Sequence, residues 1–138
     1  MSIFVRAWTM SMEDRERLIK GAFEGANIEN ASYGGTICAE RTAIVKAVSE
    51  GVRSFIGLAV VTNVNSAISP CGICRQVLRE FCSLDMPILL VPGDYPQKLE
   101  PGEAPKPGYT EGGVKETTLG VLLPDSFGPE HLELPRKS

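Results

Sequence analysis

The sequence is poor in histidine, in excess basic charge and in long apolar runs, and each shortage argues against a class of function. A single histidine, His131, leaves little material for a His-based metal site or a catalytic triad. The 14 Lys and Arg against 17 Asp and Glu give a net charge of −3, whereas nucleic-acid binders usually present a basic face. The longest apolar runs, residues 56–61 and 88–91, fall far short of the roughly 20 residues that span a bilayer. We therefore expect neither a nucleic acid nor a membrane as partner.

A secretory signal is also missing from the start of the sequence. Residues 1–10 contain no basic start followed by a long apolar stretch and a small-residue cleavage site. We therefore expect a cytoplasmic protein whose special chemistry runs through Cys, Asp or Glu.

The length and composition predict one domain. A chain of 138 residues that is 43% hydrophobic can bury one apolar core but not two, so we predict a single domain over residues 1–138. Five of the ten prolines and five glycines fall within residues 92–113. This composition predicts a loop excursion at about residues 92–116.

The beginning of the chain has the weakest pattern. Residues 3–9 are apolar and β-branched, which predicts a strand, and the charged residues 11–17 are typical of a turn or short helical loop. Residues 18–26 are interpreted as a second strand, although residues 12–23 also carry a weak helical pattern.

The middle of the chain alternates between helical and strand patterns. Thr36 is a plausible N-cap for a helix that ends at Gly51, and Ser69 with Pro70 is a plausible start for a second helix through residue 82. Unbroken apolar runs predict buried strands at residues 55–62 and 87–91. This order predicts an α/β fold with parallel strand pairing and helices covering the sheet.

Three of the four cysteines fall at the two predicted helix starts: Cys38 at one, Cys71 and Cys74 at the other. A Cys-x-x-Cys at a helix N-terminus places two sulfurs on one side of the first turn, where free N–H groups favour the thiolate. On its own this pair is also compatible with a redox dithiol. With a third cysteine at a second helix start, the pattern favours a three-sulfur zinc site.

The number of ligands predicts an open site. Structural zinc sites are closed by four protein ligands, whereas catalytic sites leave one position for water. Cys82 follows Cys74 by eight residues, a rise of about 12 Å along a helix, and is interpreted as a small buried hydrophobe. His131 has no metal-like spacing. We therefore expect one zinc ion per chain, held by three cysteines.

Glu40, two residues after Cys38, gives such a site hydrolytic chemistry. A nearby carboxylate can take a proton from zinc-activated water and deliver it elsewhere. Cys-x-Glu followed by Pro-Cys-x-x-Cys is the pattern of the zinc nucleobase deaminases.

Three stretches resemble the small cytidine deaminases that act on free nucleosides. They are Asn-Ile-Glu-Asn-Ala-Ser-Tyr at 27–33, Thr-Ile-Cys-Ala-Glu-Arg-Thr-Ala at 36–43 and Ser-Pro-Cys-Gly-Ile-Cys-Arg-Gln at 69–76. The stretch Leu-Leu-Pro-Asp-Ser-Phe-Gly-Pro at 122–129 resembles the close of the same family. The resemblance implies a three-layer fold, with a mixed β-sheet sandwiched by helices, that assembles as a homotetramer.

The resemblance also implies an activity: hydrolytic deamination of cytidine and deoxycytidine to uridine and deoxyuridine plus ammonia, in pyrimidine salvage. Cys38, Cys71 and Cys74 would hold zinc, and a zinc-bound hydroxide would attack C4 of cytosine. Glu40 would protonate N3 and then the departing amine. Arg41 matches the cation that contacts the zinc thiolates.

Further residues match substrate contacts of the family. Asn27 and Glu29, two apart on an extended segment and so on one side of it, match residues at the ribose hydroxyl, and the backbone at Ala39 would meet the base. Phe127 matches an aromatic that reaches a neighbouring subunit's pocket, and Tyr33 matches a residue near the subunit junction. Without the resemblance, Asn27 and Glu29 are equally well interpreted as residues at the end of a surface strand. Phe127 and Tyr33 are then interpreted as aromatic residues that pack in the fold.

The chain departs from the family pattern in two places. Residues 4–7 are a distorted version of the family's first strand and lie almost at the start of the sequence, so we expect the family's first helix to be missing. The excursion at 92–116 is longer than the hairpin expected there. Two alternatives therefore stay open: a deaminase of another cytosine-containing small molecule, such as a nucleoside antibiotic, and a catalytically silent zinc-binding domain.

Overall fold

The computed structural model describes residues 10–135. In chain order its elements are α1 (Met12–Glu24), α2 (Ala39–Ser49), β1 (Leu58–Val61), α3 (Gly72–Phe81), β2 (Pro87–Val91), β3 (Lys115–Thr118) and α4 (Leu119–Leu122), with short 3-10 helices at Tyr33–Gly35 and Pro129–Glu133. The strand predicted at residues 3–9, and the absence of a helix before it, fall outside the described residues. Within residues 10–135, no helix has the length and apolar character needed to traverse a bilayer.

Within the described residues the sheet is mixed and has three strands in the order β1-β2-β3. β1 pairs with β2 in parallel, as the sequence predicts, and the structure places Ala59 opposite Leu89. β2 pairs with β3 in antiparallel fashion, with Leu89 opposite Glu116. A parallel pair needs a crossover, which α3 provides between β1 and β2, whereas no helix separates β2 from β3 among the described residues. The α/β class and the mixed sheet are confirmed.

The alternation of β2 side chains divides the core into two layers. Ile88 and Leu90 face a cluster that contains Ile44 of α2 and Leu78 of α3. Leu89 and Val91 face the opposite side, where they pack with Ile19 of α1 and Val114. All five residues of β2 are buried, as its unbroken apolar run predicts. The sheet is therefore sandwiched between α1 on one face and α2 with α3 on the other.

The strand predicted at residues 18–26 is wrong, because Met12–Glu24 forms helix α1. The helix follows the weak helical pattern over residues 12–23 instead. The Oγ of Ser11 accepts a hydrogen bond from the N–H of Asp14 at 3.0 Å, which caps the helix, and Glu13 with Asp14 adds favourable negative charge to its first turn. Packing of Ile19 against the sheet supplies the stabilisation that the weak local helical pattern does not.

The boundaries of the two central helices are also corrected. α2 begins after Cys38 rather than at Thr36, and α3 begins after Cys71 rather than at Ser69 and Pro70. α2 ends at Ser49, two residues before Gly51, whose φ of 93° is the left-handed conformation that commonly ends a helix.

The Pro- and Gly-rich excursion contains no helix or strand between β2 and Lys115, where β3 begins. A backbone bridge joins Gln97 to Gly112 across it. Arg15 of α1 ties its far end to the helical layer, because its guanidinium contacts Glu116 and donates to the Oγ1 of Thr110.

Cys82 lies in the core beside α3, as predicted, and is 6% exposed. Burial raises the pKa of its thiol to about 11. This cysteine is therefore a packing residue and stays neutral at physiological pH.

Candidate active site

The sulfur atoms of Cys38, Cys71 and Cys74 form one cluster and lie within 4.8 Å of one another. The Sγ atoms of Cys38 and Cys71 are 4.0 Å apart, and those of Cys71 and Cys74 are 3.4 Å apart. The cluster joins the N-termini of α2 and α3, two helices that pack on the same face of the sheet.

The start of α3 is organised by its own first residues. Cys71 is the N-cap, and its Sγ accepts a hydrogen bond from the N–H of Cys74 at 3.4 Å. This backbone hydrogen bond lowers the pKa of Cys71 below its ordinary value. Burial raises the pKa of Cys74 to about 12, so without a cation Cys71 is the more acidic thiol of the two.

The start of α2 is capped from another part of the chain. Cys38 is the N-cap residue, but its side chain makes no capping hydrogen bond. Instead, the Oδ1 of Asn27 accepts a hydrogen bond from the N–H of Ala39 at 2.8 Å. Reciprocal backbone hydrogen bonds of 2.9 Å between Ile28 and Ile37 bring the two segments together. Asn27 therefore satisfies one of the free N–H groups at the helix start.

Arg41 lies against the sulfur cluster from the first turn of α2. Its Nη2 is 3.7 Å from the Sγ of Cys38 and donates to the carbonyl of Thr36 at 3.3 Å. Hydrogen bonds to Cys38 and Cys74 raise the pKa of its guanidinium, and its Nε is buried with no hydrogen-bond partner within the described part of the chain. A cation in this position favours a cluster with net negative charge.

The cluster fits one zinc ion. Sulfur ligands about 2.3 Å from a tetrahedral zinc lie about 3.8 Å from one another, between the 3.4 and 4.0 Å of the two measured pairs. Three thiolates around Zn²⁺ carry one net negative charge, which the guanidinium of Arg41 offsets. In the described residues the cluster has three protein ligands, so its fourth position is open to water or substrate, as in a catalytic zinc site.

A cavity of about 910 Å³ opens beside the cluster. Its lining includes Asn27, Cys38, Ala39, Glu40 and Cys71, which bring the proposed proton shuttle and two of the three sulfurs to one space. Most of the remaining lining comes from α1 and from β1 with the residues that follow it, and includes Leu18, Ala22, Phe23, Leu58, Ala59, Val60, Val61 and Thr62.

Three predicted substrate residues, Glu29, Tyr33 and Phe127, are not among the described residues that line this cavity. Tyr33 is 90% exposed and Phe127 is 65% exposed, and Glu29 is exposed as well. Their proposed roles remain predictions.

The sequence did not predict that α1 forms one wall of the cavity. This wall includes Phe23, the one aromatic residue among the described residues that line the cavity. The assignment of residues 18–26 to a strand hid it. The usable signal was Ser11 followed by Glu13 and Asp14, which is a pattern for the start of a helix.

Comparison with known proteins identifies the family to which this chain belongs. Residues 17–89, just over half of the chain, match the family described as cytidine and deoxycytidylate deaminase zinc-binding region. The chain belongs to this family. The matched region contains all three cysteines of the cluster and Glu40, so the metal indicated by the sulfur geometry is the metal that the family description names.

Cytidine deaminases of several bacteria are similar in sequence to most of this chain. It is 46% identical over 110 residues to a cytidine deaminase of Sporosarcina psychrophila, a match that covers 80% of this chain and 68% of that protein. A cytidine deaminase of Mycobacterium tuberculosis is 36% identical over 113 residues, with 82% and 67% covered. The crystal structure of cytidine deaminase from Burkholderia pseudomallei superposes with a TM-score of 0.66 at 30% identity, covering 86% of this chain and 100% of that one. The expected cytidine deaminase fold is confirmed.

Proposed function

We propose that this protein catalyses the hydrolytic deamination of cytidine and deoxycytidine to uridine and deoxyuridine plus ammonia, as a cytoplasmic enzyme of pyrimidine salvage. The observation that carries the proposal is the shared cavity, whose lining includes Glu40 together with Cys38 and Cys71 of the sulfur cluster. The curated relatives named cytidine deaminase support the choice of substrate.

Cys38, Cys71 and Cys74 would hold the zinc ion, which when bound supplies a Lewis acid that makes water a nucleophile at neutral pH. Glu40 would then move the protons. Its carboxylate receives one proton from the attacking water and passes it to N3 of the cytosine ring. A second transfer carries the remaining proton to the exocyclic amine, which leaves as ammonia while C4 keeps the oxygen.

Asn27 and Ala39 form the part of the cavity wall best suited to orient a nucleoside. The Oδ1 of Asn27 is engaged by the N–H of Ala39, so its amide Nδ2 is the group available to donate to a ribose hydroxyl. The carbonyl of Ala39 would face the base. Glu29, two residues after Asn27, is proposed as the second ribose contact.

The proposal includes assembly into a homotetramer, in which Phe127 of one copy reaches the cavity of another and Tyr33 lies near the junction. Supporting this, both aromatic side chains are largely exposed within one chain, although large aromatic side chains are usually buried against something. Light scattering on the purified protein would give its mass, with four chains expected.

The test of the proposed function is cytidine turnover followed by absorbance, with zinc content measured on the same sample. We expect Glu40→Gln to lower kcat by about 10²–10⁴-fold, the usual contribution of a proton-transferring group, with one zinc per chain retained. Glu50→Gln, at the opposite end of α2 where Glu50 pairs with Lys46, is the matched control and should keep full activity.

Each other outcome has its own meaning. Full turnover by Glu40→Gln would overturn the role of Glu40. Zinc at one per chain without turnover of cytidine by the unaltered protein would favour the silent zinc-binding domain. Turnover restricted to another cytosine compound would favour the alternative substrate class.

A further inference from the structure

Segment 122–130 is fastened to α3 along the length of that helix. The Nη1 of Arg75 donates to the carbonyl of Leu122 at 2.8 Å. One residue on, the Nε2 of Gln76 donates to the carbonyl of Phe127 at 3.0 Å. The same helix begins with the cysteine pair of the metal cluster, so α3 links the cluster mechanically to this segment.

Arg79, one turn beyond Arg75 on α3, makes an enclosed attachment to the same segment. Its Nε donates to the Oγ of Ser126 at 3.2 Å, and its Nη2 is paired with the carboxylate of Glu130. The Arg79 side chain is only 10% exposed, and Gly128 lies so close that an added Cβ would overlap the guanidinium carbon. The guanidinium therefore fills the inside of the loop formed by residues 126–130.

Phe127 lies within this loop, and its side chain is exposed although its backbone is held. Its neighbour Ser126 and the nearby Glu130 are both held by Arg79, and its own carbonyl is held by Gln76, yet its side chain is 65% exposed. An exposed aromatic side chain on an immobilised backbone loses little conformational entropy when it binds, which is what a binding anchor requires.

We propose that Arg79 is a positioning residue that fixes Phe127 for contact with the nucleoside bound in the cavity of a second copy of the chain. This inference rests on the proposed role of Phe127 in that cavity. It adds that the contact is set by Arg79 through Ser126 and Glu130, so that the helix carrying two metal ligands of one site also places the aromatic wall of another.

The test is a double-mutant cycle with two readouts: the Kd of uridine, which is the proposed product and is not consumed, and kcat and KM for cytidine. We expect Arg79→Ala to raise the uridine Kd and the cytidine KM on the order of tenfold, with kcat and zinc content unchanged. Phe127→Ala should also raise the uridine Kd and the cytidine KM. In the Phe127→Ala background, Arg79→Ala should have no further effect, because Arg79 acts through Phe127.

Two variants control for a general loss of structure. Glu130→Gln keeps the size of the side chain and removes its charge, and should raise the uridine Kd in the same direction by less. Glu80→Ala changes an exposed residue next to Arg79 on α3 and should leave both readouts unchanged. Hydrogen exchange at the amides of residues 126–128 and of Glu130 should become faster in Arg79→Ala and stay unchanged in Glu80→Ala.

Additive effects of Arg79→Ala and Phe127→Ala would overturn the proposal, as would unchanged hydrogen exchange in Arg79→Ala or a fall in kcat together with zinc loss. A wild-type chain that binds no uridine would also overturn it. Uridine binding with the expected cycle but no cytidine turnover would overturn the proposed function alone.

Discussion

The two helix starts that meet at the sulfur cluster look alike in sequence and are built differently. Cys38 and Cys71 are both N-cap residues with extended backbones, at φ −67° and −65°. The sulfur of Cys71 caps its own helix through the N–H of Cys74. The start of α2 takes its cap from Asn27, twelve residues before the N–H it binds. One half of the site is thus formed locally, and the other depends on a tertiary contact.

The arginines in the first turns of α2 and α3 also differ, in the atoms that they contact. Arg41 of α2 contacts sulfur, so it acts on the charge of the cluster. Within residues 10–135, the hydrogen bonds of Arg75 of α3 all go to oxygen: the carbonyls of Pro70 and Leu122 and the Oγ of Ser69. It braces the loop that leads to Cys71. The α2 half therefore places a cation against the sulfur atoms, and the α3 half fastens its loop by hydrogen bonds to oxygen.

Substitution of the cysteines is expected to have the largest effect on zinc binding and to distinguish the α2 half of the site from the α3 half. Cys74→Ser and Cys38→Ser should each weaken zinc binding by more than about 100-fold, beyond what loss of an outer partner causes. Cys74 is 0% exposed, so its replacement should also lower the free energy of unfolding of the metal-free protein by about 1–3 kcal/mol, because a hydroxyl is buried there. Cys38→Ser should leave that stability unchanged. Chelator competition and urea unfolding in EDTA measure the two quantities, and equal stability losses would contradict the comparison.

A smaller effect is expected from the charge partner. Arg41→Gln should lower zinc affinity by about 10–100-fold, because the negative cluster loses its adjacent cation. Chelator competition measures the loss, and the exposed Arg53, changed to Gln, is the control. Unchanged affinity in Arg41→Gln would show that the guanidinium serves only the carbonyl of Thr36.

The smallest effect is expected from the remote cap. Asn27→Ala should lower the free energy of unfolding by about 1 kcal/mol, as typical for loss of an N-cap side chain, and should speed hydrogen exchange at the N–H of Ala39. Asn27→Asp keeps the acceptor and should restore most of the stability. Urea unfolding compares the three proteins. If Ala and Asp behave alike, the hydrogen bond to Ala39 does not stabilise α2.

This contrast also explains what could be read from the sequence. The spacing of the cysteines and Glu40 indicated the cluster, and apolar runs indicated β1 and β2, because these signals are local. α1 was misassigned since its helical pattern is weak and contains Gly21, and its stability comes from packing Ile19 against the sheet. The cap by Asn27 could not be derived from spacing, because it requires the bridge between Ile28 and Ile37 to form first. The start of α3 was placed too early because Ser69 and Pro70 fit the common rule, whereas Cys71 provides the cap.

Gly128 carries a consequence for how this chain can diverge over evolution. Its φ of −139° and ψ of −175° are open to any amino acid, so the backbone does not demand glycine. The guanidinium of Arg79 requires glycine at this position, because it occupies the space that a side chain at residue 128 would need. Ser126 and Glu130 hold the guanidinium there. Descendants of this sequence should therefore acquire a larger residue at position 128 only together with a shorter one at position 79, and the two sites should covary.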